Sequence, residues 1–489
     1  MTPNQYTPEE PISSIATALA PAALGIVRVS GKGCIELVSK VFSRPKSLLE
    51  AAGNTLVYGW IQTPFAAVVS TSSTTVIDEV MLAVYRAPKS FTGEDMVEIF
   101  CHGGPAVVTA IQNLMLKIGF RQANRGEYTF RAFINGKTDL TKAEAVKEII
   151  DSHTDASRSH AAGRLAGSLF EEIDDIKKLI VDTLAAIEVE IEYPEDEETI
   201  ADSFDREDIE TAASRLQALA DSWRGEKLYQ DGARVVLAGR TNAGKSSLFN
   251  AILKEERAIV SDIEGTTRDW LESWASINGI PVRLFDTAGL RETSDVIEAQ
   301  GVEISRNLVH DADVVLYLVD SQSGFNDEDR EFIENCTEPL IVVKTKIDKN
   351  ASSHTVVAVP EPDETTAAVG TSLSSAVVST SSTTVSTVSI SSKTGAGLSE
   401  LFAQITKILT AGLSTERTQA GLGSARQKKA VSAALESVRH ALISADDNYT
   451  LDAVVQDLED ALDALGEVTG DVTPDDVLGS IFANFCVGK

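Results

Sequence analysis

The apolar positions of the chain change spacing along its length, and each spacing marks a region. In the first 136 residues they gather in short β-branched runs. Residues 25–29 (GIVRV) and 80–85 (VMLAVY) read as strands, and 105–118 reads as an amphipathic helix. This part is expected to be a compact α+β domain. The period then becomes helical. Thr141, Lys142, Ala143 and Glu144 fit a capping box, in which a hydroxyl and a carboxylate satisfy backbone donors at a helix start. Ile173, Ile176, Ile180, Leu184, Ile187 and Ile191 lie three or four apart and form one apolar stripe. The acidic run 188–198 is its solvated end. Across 232–411 the runs 234–238, 282–285, 314–319 and 340–343 read as strands alternating with helices, the pattern of a doubly wound parallel sheet. Helical spacing returns after 412, where Leu451, Val455, Leu458, Leu462 and Leu465 make a second stripe. Thr473, Pro474, Asp475 and Asp476 then combine a hydroxyl cap, a first-turn proline and acids at the positive end of a last helix.

Helical blocks on both sides of an α/β unit imply one helical domain with that unit inserted. The expected organisation is 1–136, an amino-terminal α+β domain; 137–231, the first helical part; 232–411, the α/β domain; and 412–489, the second helical part. The decapeptide AVVSTSSTTV occurs at 67–76 and again at 376–385. The second copy lies in a Ser/Thr/Val-rich stretch, 351–389, expected to be a mobile loop because it offers little to bury. The identity of the copies reads as duplication without function.

Bulk composition narrows the class. At 43% hydrophobic and 24% charged residues the composition is ordinary for a soluble globular protein. The chain starts without signal-peptide blocks, and no apolar run reaches the roughly 20 residues that span a bilayer. Cys34, Cys101, Cys336 and Cys486 have no CxxC spacing, which argues against a zinc site or disulfide framework and for a reducing cytoplasm. A net charge of −30 disfavours nonspecific binding to nucleic acid or membrane, though an RNA held at a local basic patch or by a partner remains compatible. Arg426, Lys428 and Lys429 read as a solvated helix face.

The strand 234–238 runs directly into Gly239-Arg-Thr-Asn-Ala-Gly-Lys-Ser246, and Ser247 opens a helix. This is GxxxxGK[ST] in its strand–loop–helix context. Backbone N–H groups of Asn242, Ala243, Gly244 and their neighbours would surround phosphates, aided by the helix N-terminus. Lys245 would reach the β- and γ-phosphates, and Ser246 would hold Mg²⁺. Asp286, Thr287, Ala288 and Gly289 end a second strand, with Asp286 at the metal's water shell and Gly289 at the γ-phosphate. Thr266 and Thr267 lie between, where a switch segment must cross the nucleotide, and Thr267 would be the second protein ligand to Mg²⁺. After strand 340–343 come Thr345, Lys346 and Asp348. A carboxylate there accepts from guanine N1–H and its amino group, which adenine cannot match. Ser391, Ser392 and Lys393 would close over the base. The five pieces in this order describe a Ras-like GTPase.

Two positions depart from that pattern. Thr345 stands where NKxD has asparagine, which is expected to weaken a base contact and a tie to the phosphate loop. Leu290 follows DTAG where many relatives carry a water-orienting glutamine. Asn242 has a side-chain oxygen suited to a monovalent cation over the phosphates, and K⁺ there would act as an arginine finger does.

GRTNAGKSSLFNAI, AIVSDIEGTTRDW, DTAGLRETSDVIE, FTGEDMVEIFCHGGP, GEYTFRAFINGKTDL, GIVRVSG and the terminal FCVGK together resemble the MnmE/TrmE tRNA-modification GTPases. The resemblance spans the chain except about 62–76 and 351–389. It implies a P-loop GTPase domain inserted in a helical bundle domain, behind an amino-terminal tetrahydrofolate-binding domain that forms a homodimer. It implies a flavoprotein partner of the MnmG/GidA type in a heterotetramer. Together they install an aminomethyl or carboxymethylaminomethyl group on carbon 5 of the wobble uridine of certain tRNAs. The one-carbon donor is 5-formyl- or 5,10-methylene-tetrahydrofolate. Position by position, Arg28, Glu98, Lys137 and Lys489 match folate-contacting residues, with Glu98 suited to the pterin and the cations to the glutamate tail. K⁺ ligands are the Asn242 side chain and oxygens of Ser261, Ile263 and Thr266; Arg268 and Asp269 belong to that loop. Glu298 matches the catalytic glutamate. Cys486 is a candidate nucleophile or one-carbon relay, with packing as the plain alternative. Residues 16–24 lack the family's Gly/Arg-rich loop. The alternative reading is a ribosome-assembly or regulatory GTPase without transfer chemistry.

Overall fold

The computed structural model describes residues 10–63, 75–192, 204–255, 271–286, 308–349, 378–380, 383–413, 420–446, 451–486 and 488. The chain divides into two compact units. One comprises Met1–Ile150, Gly163–Ala220 and Leu422–Lys489; the other comprises Asp151–Ala162 and Asp221–Gly421.

In the first unit six strands form one sheet: β1 (Ile12–Ile15), β2 (Ala22–Ser30), β3 (Thr55–Gln62), β4 (Val76–Tyr85), β5 (Met96–Gly103) and β6 (Arg121–Gln122), ordered β3-β4-β5-β2-β1-β6. Only the β1–β6 pairing is parallel. Strand alternation decides which side is covered. Val27, Val29, Leu82, Val84, Val97 and Ile99 share one face, buried with Ile35 and Val38 of α1 (Cys34–Ser39) and Ile111 and Met115 of α3 (Pro105–Ile118). Between these two comes the short α2 (Pro45–Leu49), and α4 (Glu127–Ile134) follows β6. β2 begins three residues before the predicted strand, because Ala22 and Leu24 pair with Gly103 and His102 of β5.

Four helices follow: α5 (Leu140–Asp151), α6 (Asp155–Ala166), α7 (Ser168–Glu192) and α8 (Arg206–Asp231). The expected capping box is not formed. Asp139 caps α5, its Oδ1 accepting from the Lys142 N–H at 3.0 Å, and the Thr141 hydroxyl donates to the same carboxylate. An ionised oxygen is the stronger acceptor for helix-end donors. Glu144 instead receives Arg426 and Gln427 at 2.8 and 2.6 Å. Arg426 therefore belongs to an internal ion pair, while Lys428 and Lys429 stay exposed. On α7 Ile173, Ile176, Ile180 and Ile187 of the predicted stripe are fully buried and Leu184 is half-buried, while the side chain of Ile191 lies outside the described residues.

The second unit is built on seven strands: β7 (Ala233–Gly239), β8 (Leu271–Ile277), β9 (Ile280–Asp286), β10 (Val314–Asp320), β11 (Leu340–Thr345), β12 (Val378–Thr380) and β13 (Thr383–Ser389). Their order is β12-β13-β11-β10-β7-β9-β8, parallel in the centre with antiparallel edge strands β12 and β8. Its helices are α9 (Lys245–Glu255), α10 (Asp327–Asn335) and α11 (Leu398–Leu409). Part of the low-complexity stretch is thus a strand rather than a loop. Thr- and Val-rich β13 suits a pleated surface, pairs in parallel with β11 and buries Val388. Residues 151–162, expected in the helical domain, pack in this unit: the His153 ring stacks on Trp274 at 3.9 Å.

The chain returns to the first unit with α12 (Ala425–Asp446), α13 (Leu451–Thr469) and α14 (Asp475–Ala483). The buried line of α13 is Val454, Leu458, Ala461, Leu465 and Val468, whereas Val455 and Leu462 are only half-buried. Ala461, like Ala430, Ala434 and Ala441 of the neighbouring α12, is buried, and small side chains of this kind let paired helices approach. Pro474, not Thr473, holds the N-cap position of α14, and no side chain caps it. The helix starts at the first residue after the ring, whose backbone is extended (φ −59°, ψ 145°). No described helix is long and apolar enough to cross a membrane.

Candidate functional site

The buried strand β7 delivers the phosphate loop to the first turn of α9. Gly239 has φ +134°, and a Cβ there would lie 2.4 Å from the Leu318 carbonyl oxygen of β10, so only glycine fits this approach. Lys245 is nearly buried. Its ammonium is held inside the loop, donating to the carbonyls of Gly239 and Arg240 at 2.7 and 2.9 Å. Ser246 Oγ donates to Asp286 Oδ2 at 2.9 Å, joining the start of α9 to the end of β9. The parallel pairing of Leu237 with Asp286 brings these distant residues level. A hydroxyl and a carboxylate are hard oxygen donors, the set Mg²⁺ prefers. Asn242 is exposed with a left-handed backbone (φ 61°), and its side-chain amide makes no hydrogen bond among the described residues.

The base side assembles at the ends of β10, β11 and β13. Lys346 Nζ bridges the Asn242 carbonyl (2.6 Å) and Asp320 Oδ2 (2.7 Å), and that ammonium holds the Asp320 carboxyl below its ordinary range. Ser391 Oγ donates to Asp348 Oδ1 at 2.7 Å, which keeps the Asp348 carboxyl low and ionised. Ser392 and Lys393 follow, half-buried and exposed. Ala243 is buried, and Ser247 is exposed on α9. The expected weak tie at Thr345 is not weak: its hydroxyl donates to the Ala243 carbonyl at 2.7 Å. Sequence reasoning missed Asp320 and Arg240. The Arg240 guanidinium binds the Gly324 carbonyl at 2.7 Å and lies 3.1 Å from the fully buried Asp329, anchoring the loop from behind. An arginine following the first loop glycine was the available signal for the second. Ser261, Ile263, Thr266, Thr267, Arg268, Asp269, Thr287, Ala288, Gly289, Glu298 and Lys489 lie outside the described residues.

A second constellation stands on the opposite face of the amino-terminal sheet. Antiparallel pairing sets Arg28 of β2 opposite Glu98 of β5. Arg28 Nε and Nη2 both reach Glu98 Oε1, at 2.9 and 2.7 Å. Tyr85 donates to the other carboxylate oxygen at 3.3 Å. With Phe91 and Met96 these residues line a cavity of about 180 Å³. The carboxyl-terminal tail comes to the same place. Arg28 Nη1 donates to the Gly488 carbonyl at 2.8 Å. Arg28, expected to face a ligand's carboxylate tail, thus has its carboxylate partner within the chain. Lys137 does not line the cavity; its ammonium donates to the Pro88 carbonyl at 2.8 Å, a few residues before Phe91.

Aromatic packing anchors the tail. Phe482 meets Phe130 edge-on at 5.3 Å, and buried Phe485 packs beside it. The Cys486 carbonyl accepts from the Gly126 N–H at 3.4 Å, leaving the thiol exposed. Gly126 has φ +67°, and a Cβ there would sit 2.6 Å from the Phe482 carbonyl oxygen. Gly126→Ala is therefore expected to loosen the tail. Hydrogen exchange in residues 480–488 should accelerate about tenfold or more, the equivalent of roughly 1.4 kcal/mol of local stability. Unchanged exchange would mean the tail is held by other contacts.

A phosphate loop closed on its own lysine, a loop-end serine hydroxyl joined to a strand-end carboxylate, and a second, serine-oriented carboxylate are the geometry of a GTP hydrolase of the phosphate-loop class. Residues 11–137 match the model of the GTP-binding protein TrmE N-terminus, and 140–486 that of the MnmE helical domain. The chain belongs to the MnmE (TrmE) family. It is 49% identical to the tRNA modification GTPase MnmE of Treponema denticola, over 99% of both chains. It is 42% identical to that of Treponema pallidum, over 100% of both, and 38% identical to that of Borrelia recurrentis, over 99% of both. Among solved structures, Aquifex aeolicus Era bound to GDP and aluminium fluoride aligns over 42% of this chain and 66% of its own, at 25% identity and a TM-score of 0.26.

Proposed function

We propose that this GTPase modifies tRNA: with a flavoprotein partner of the MnmG type, it adds an aminomethyl or carboxymethylaminomethyl group to carbon 5 of the wobble uridine, drawing the carbon from a tetrahydrofolate derivative. The observation that carries this reading is the second constellation, a carboxylate and a docked carboxyl-terminal tail at one cavity, which nucleotide hydrolysis alone does not need. The cavity has room for a bicyclic pterin ring. Glu98, a carboxylate on its wall, can accept from the ring's N–H and amino donors. Arg28 orients Glu98 and ties it to the tail that carries Cys486. Lys137 and Lys489 are left to meet the glutamate portion.

In the GTPase unit Lys245 neutralises the β- and γ-phosphates, and Ser246 and Asp286 hold Mg²⁺, which balances charge on the transferred phosphoryl group. Asn242, with Ser261, Ile263 and Thr266, binds K⁺; its exposed amide supports this. Arg268 and Asp269 shape that loop, and Glu298 orients the attacking water. A homodimer is supported by an apolar row on the second face of the amino-terminal sheet. There Tyr58, Met81, Phe100 and Ile26 pair in one row across four strands, with Tyr58 48% and Met81 42% exposed. Phe100 and Ile26 are half-buried, so the exposed end of the row is Tyr58 and Met81, an apolar patch suited to a second copy of the chain.

GTP turnover is expected to fall about tenfold when Na⁺ replaces K⁺ at fixed ionic strength, roughly 1.4 kcal/mol of transition-state stabilisation. In calorimetry 5-formyl-tetrahydrofolate should bind the intact protein, and Glu98→Gln should weaken it about tenfold or more by removing the charged acceptor. Cation-indifferent turnover would remove the potassium assignment, and absence of folate binding would remove the donor. Intact wobble modification in cells lacking the protein would end the reading as a whole.

A further inference from the structure

We infer that Thr345 is a positioning residue for the phosphate loop and leaves N7 of guanine unread. Asparagine at this position presents an amide with two donor hydrogens and an acceptor oxygen, enough to hold the loop and also to reach a base acceptor such as N7. Threonine has one hydroxyl proton. Two acceptors surround it: the Ala243 carbonyl at 2.7 Å and the Val319 carbonyl at 3.4 Å. The proton goes to the nearer, inside the phosphate loop. Turning it toward a base would strip that carbonyl of its donor, and Ala243 is only 4% exposed, so water cannot replace it.

Accessibility points the same way. Thr345 is 2% exposed, sealed between the loop and the end of β10. Asp348, three residues on, is half-buried, and Ser391 holds one of its carboxylate oxygens. The side chain presented for base recognition is therefore Asp348, while Thr345 faces the loop. The neighbouring Lys346 reinforces that division, its ammonium binding the Asn242 carbonyl one residue along the same loop. Consecutive side chains of the TKxD segment thus grip consecutive carbonyls of the phosphate loop.

The test is competition against mant-GDP, in Mg²⁺, by GDP and by 7-deaza-GDP, which replaces N7 with C–H and keeps the edge read by a carboxylate. The native protein should bind both competitors within about twofold, since no hydrogen bond to N7 is lost. Thr345→Val keeps the shape, removes the proton and leaves the buried carbonyl bare. It should weaken both competitors equally, by about tenfold. Thr345→Ser should restore the affinity lost in Thr345→Val, which separates the clamp from general packing, and melting curves establish that each variant folds. A native protein that discriminates against 7-deaza-GDP by about tenfold would overturn the inference, and so would a folded Thr345→Val protein that binds GDP normally.

Discussion

Lys245→Ala is expected to lower kcat/KM for GTP by about 10²–10³, the cost of removing one preorganised donor from a site of developing negative charge. The ammonium already lies inside the loop, on the carbonyls of Gly239 and Arg240, so its place does not have to be created when phosphates arrive. The glycine positions that shape the loop are untouched by the change, and circular dichroism should match the native protein. Lys245→Arg should rescue little, because a planar fork cannot replace a compact ammonium in a closed turn. Phosphate release under saturating and limiting GTP separates the two parameters. A Lys245→Ala protein that turns GTP over within about threefold of the native enzyme would show that the loop works without its lysine.

Glu127→Gln is expected to destabilise the amino-terminal domain by about 3–5 kcal/mol, the cost of breaking one side of a buried ion network. Glu127 and Arg131 are both fully buried. Glu127 accepts from Arg121 Nη2 at 2.6 Å, Arg131 Nη2 at 2.9 Å and the Asn124 N–H at 2.8 Å. A neutral amide takes the shared countercharge from both guanidiniums, leaving Arg131 with Glu94, on its Nη1 at 2.9 Å, and Arg121 with Glu10, on its Nε at 2.8 Å. Burial alone pushes the Glu127 carboxyl up, but the donors from Arg121, Asn124 and Arg131 outweigh it and hold the group below its ordinary value. The sign follows from that depression. Unfolded, the group titrates near about 4.3. The ionised form therefore stabilises the fold at every pH above that value, and the contribution vanishes as pH falls through the lower folded value. Thermal unfolding at pH 7 should show a loss of roughly 10 °C in the variant. The native protein should lose its advantage over Glu127→Gln only below about pH 4. A variant melting within about 2 °C of native at pH 7 would contradict the account.

The nucleotide site was legible because its parts are runs of consecutive residues. Strand, Gly239–Ser246 loop and helix are adjacent in the chain, and Asp286 and Asp348 each sit at the end of an apolar run that announces a strand. The misreadings have a common cause. Thr141 and Glu144 match a local capping pattern, yet Asp139 is the stronger acceptor and Arg426, 282 residues away, claims the glutamate. The α13 stripe was misplaced because alanine counts for little in a hydrophobicity pattern and for much in helix approach. The Thr/Val-rich segment looked unable to bury anything, until β11 supplied the paired edge beside which Val388 is covered.

Local spacing and residue chemistry, read without coordinates, determined the strand–loop–helix of the phosphate loop and the α/β unit between two helical blocks, and the resemblance of the quoted motifs pointed to the family. Only tertiary structure decided that Arg28 faces Glu98, that the Gly488 carbonyl docks on that arginine, and that the Thr345 hydroxyl holds the phosphate loop. Each of these depends on strand register or on a contact across tens to hundreds of residues. A one-residue slip of β2 against β5 would turn Arg28 into the core and Val29 into the cavity, so it is the packed apolar face beneath Val27 and Val29 that selects the register.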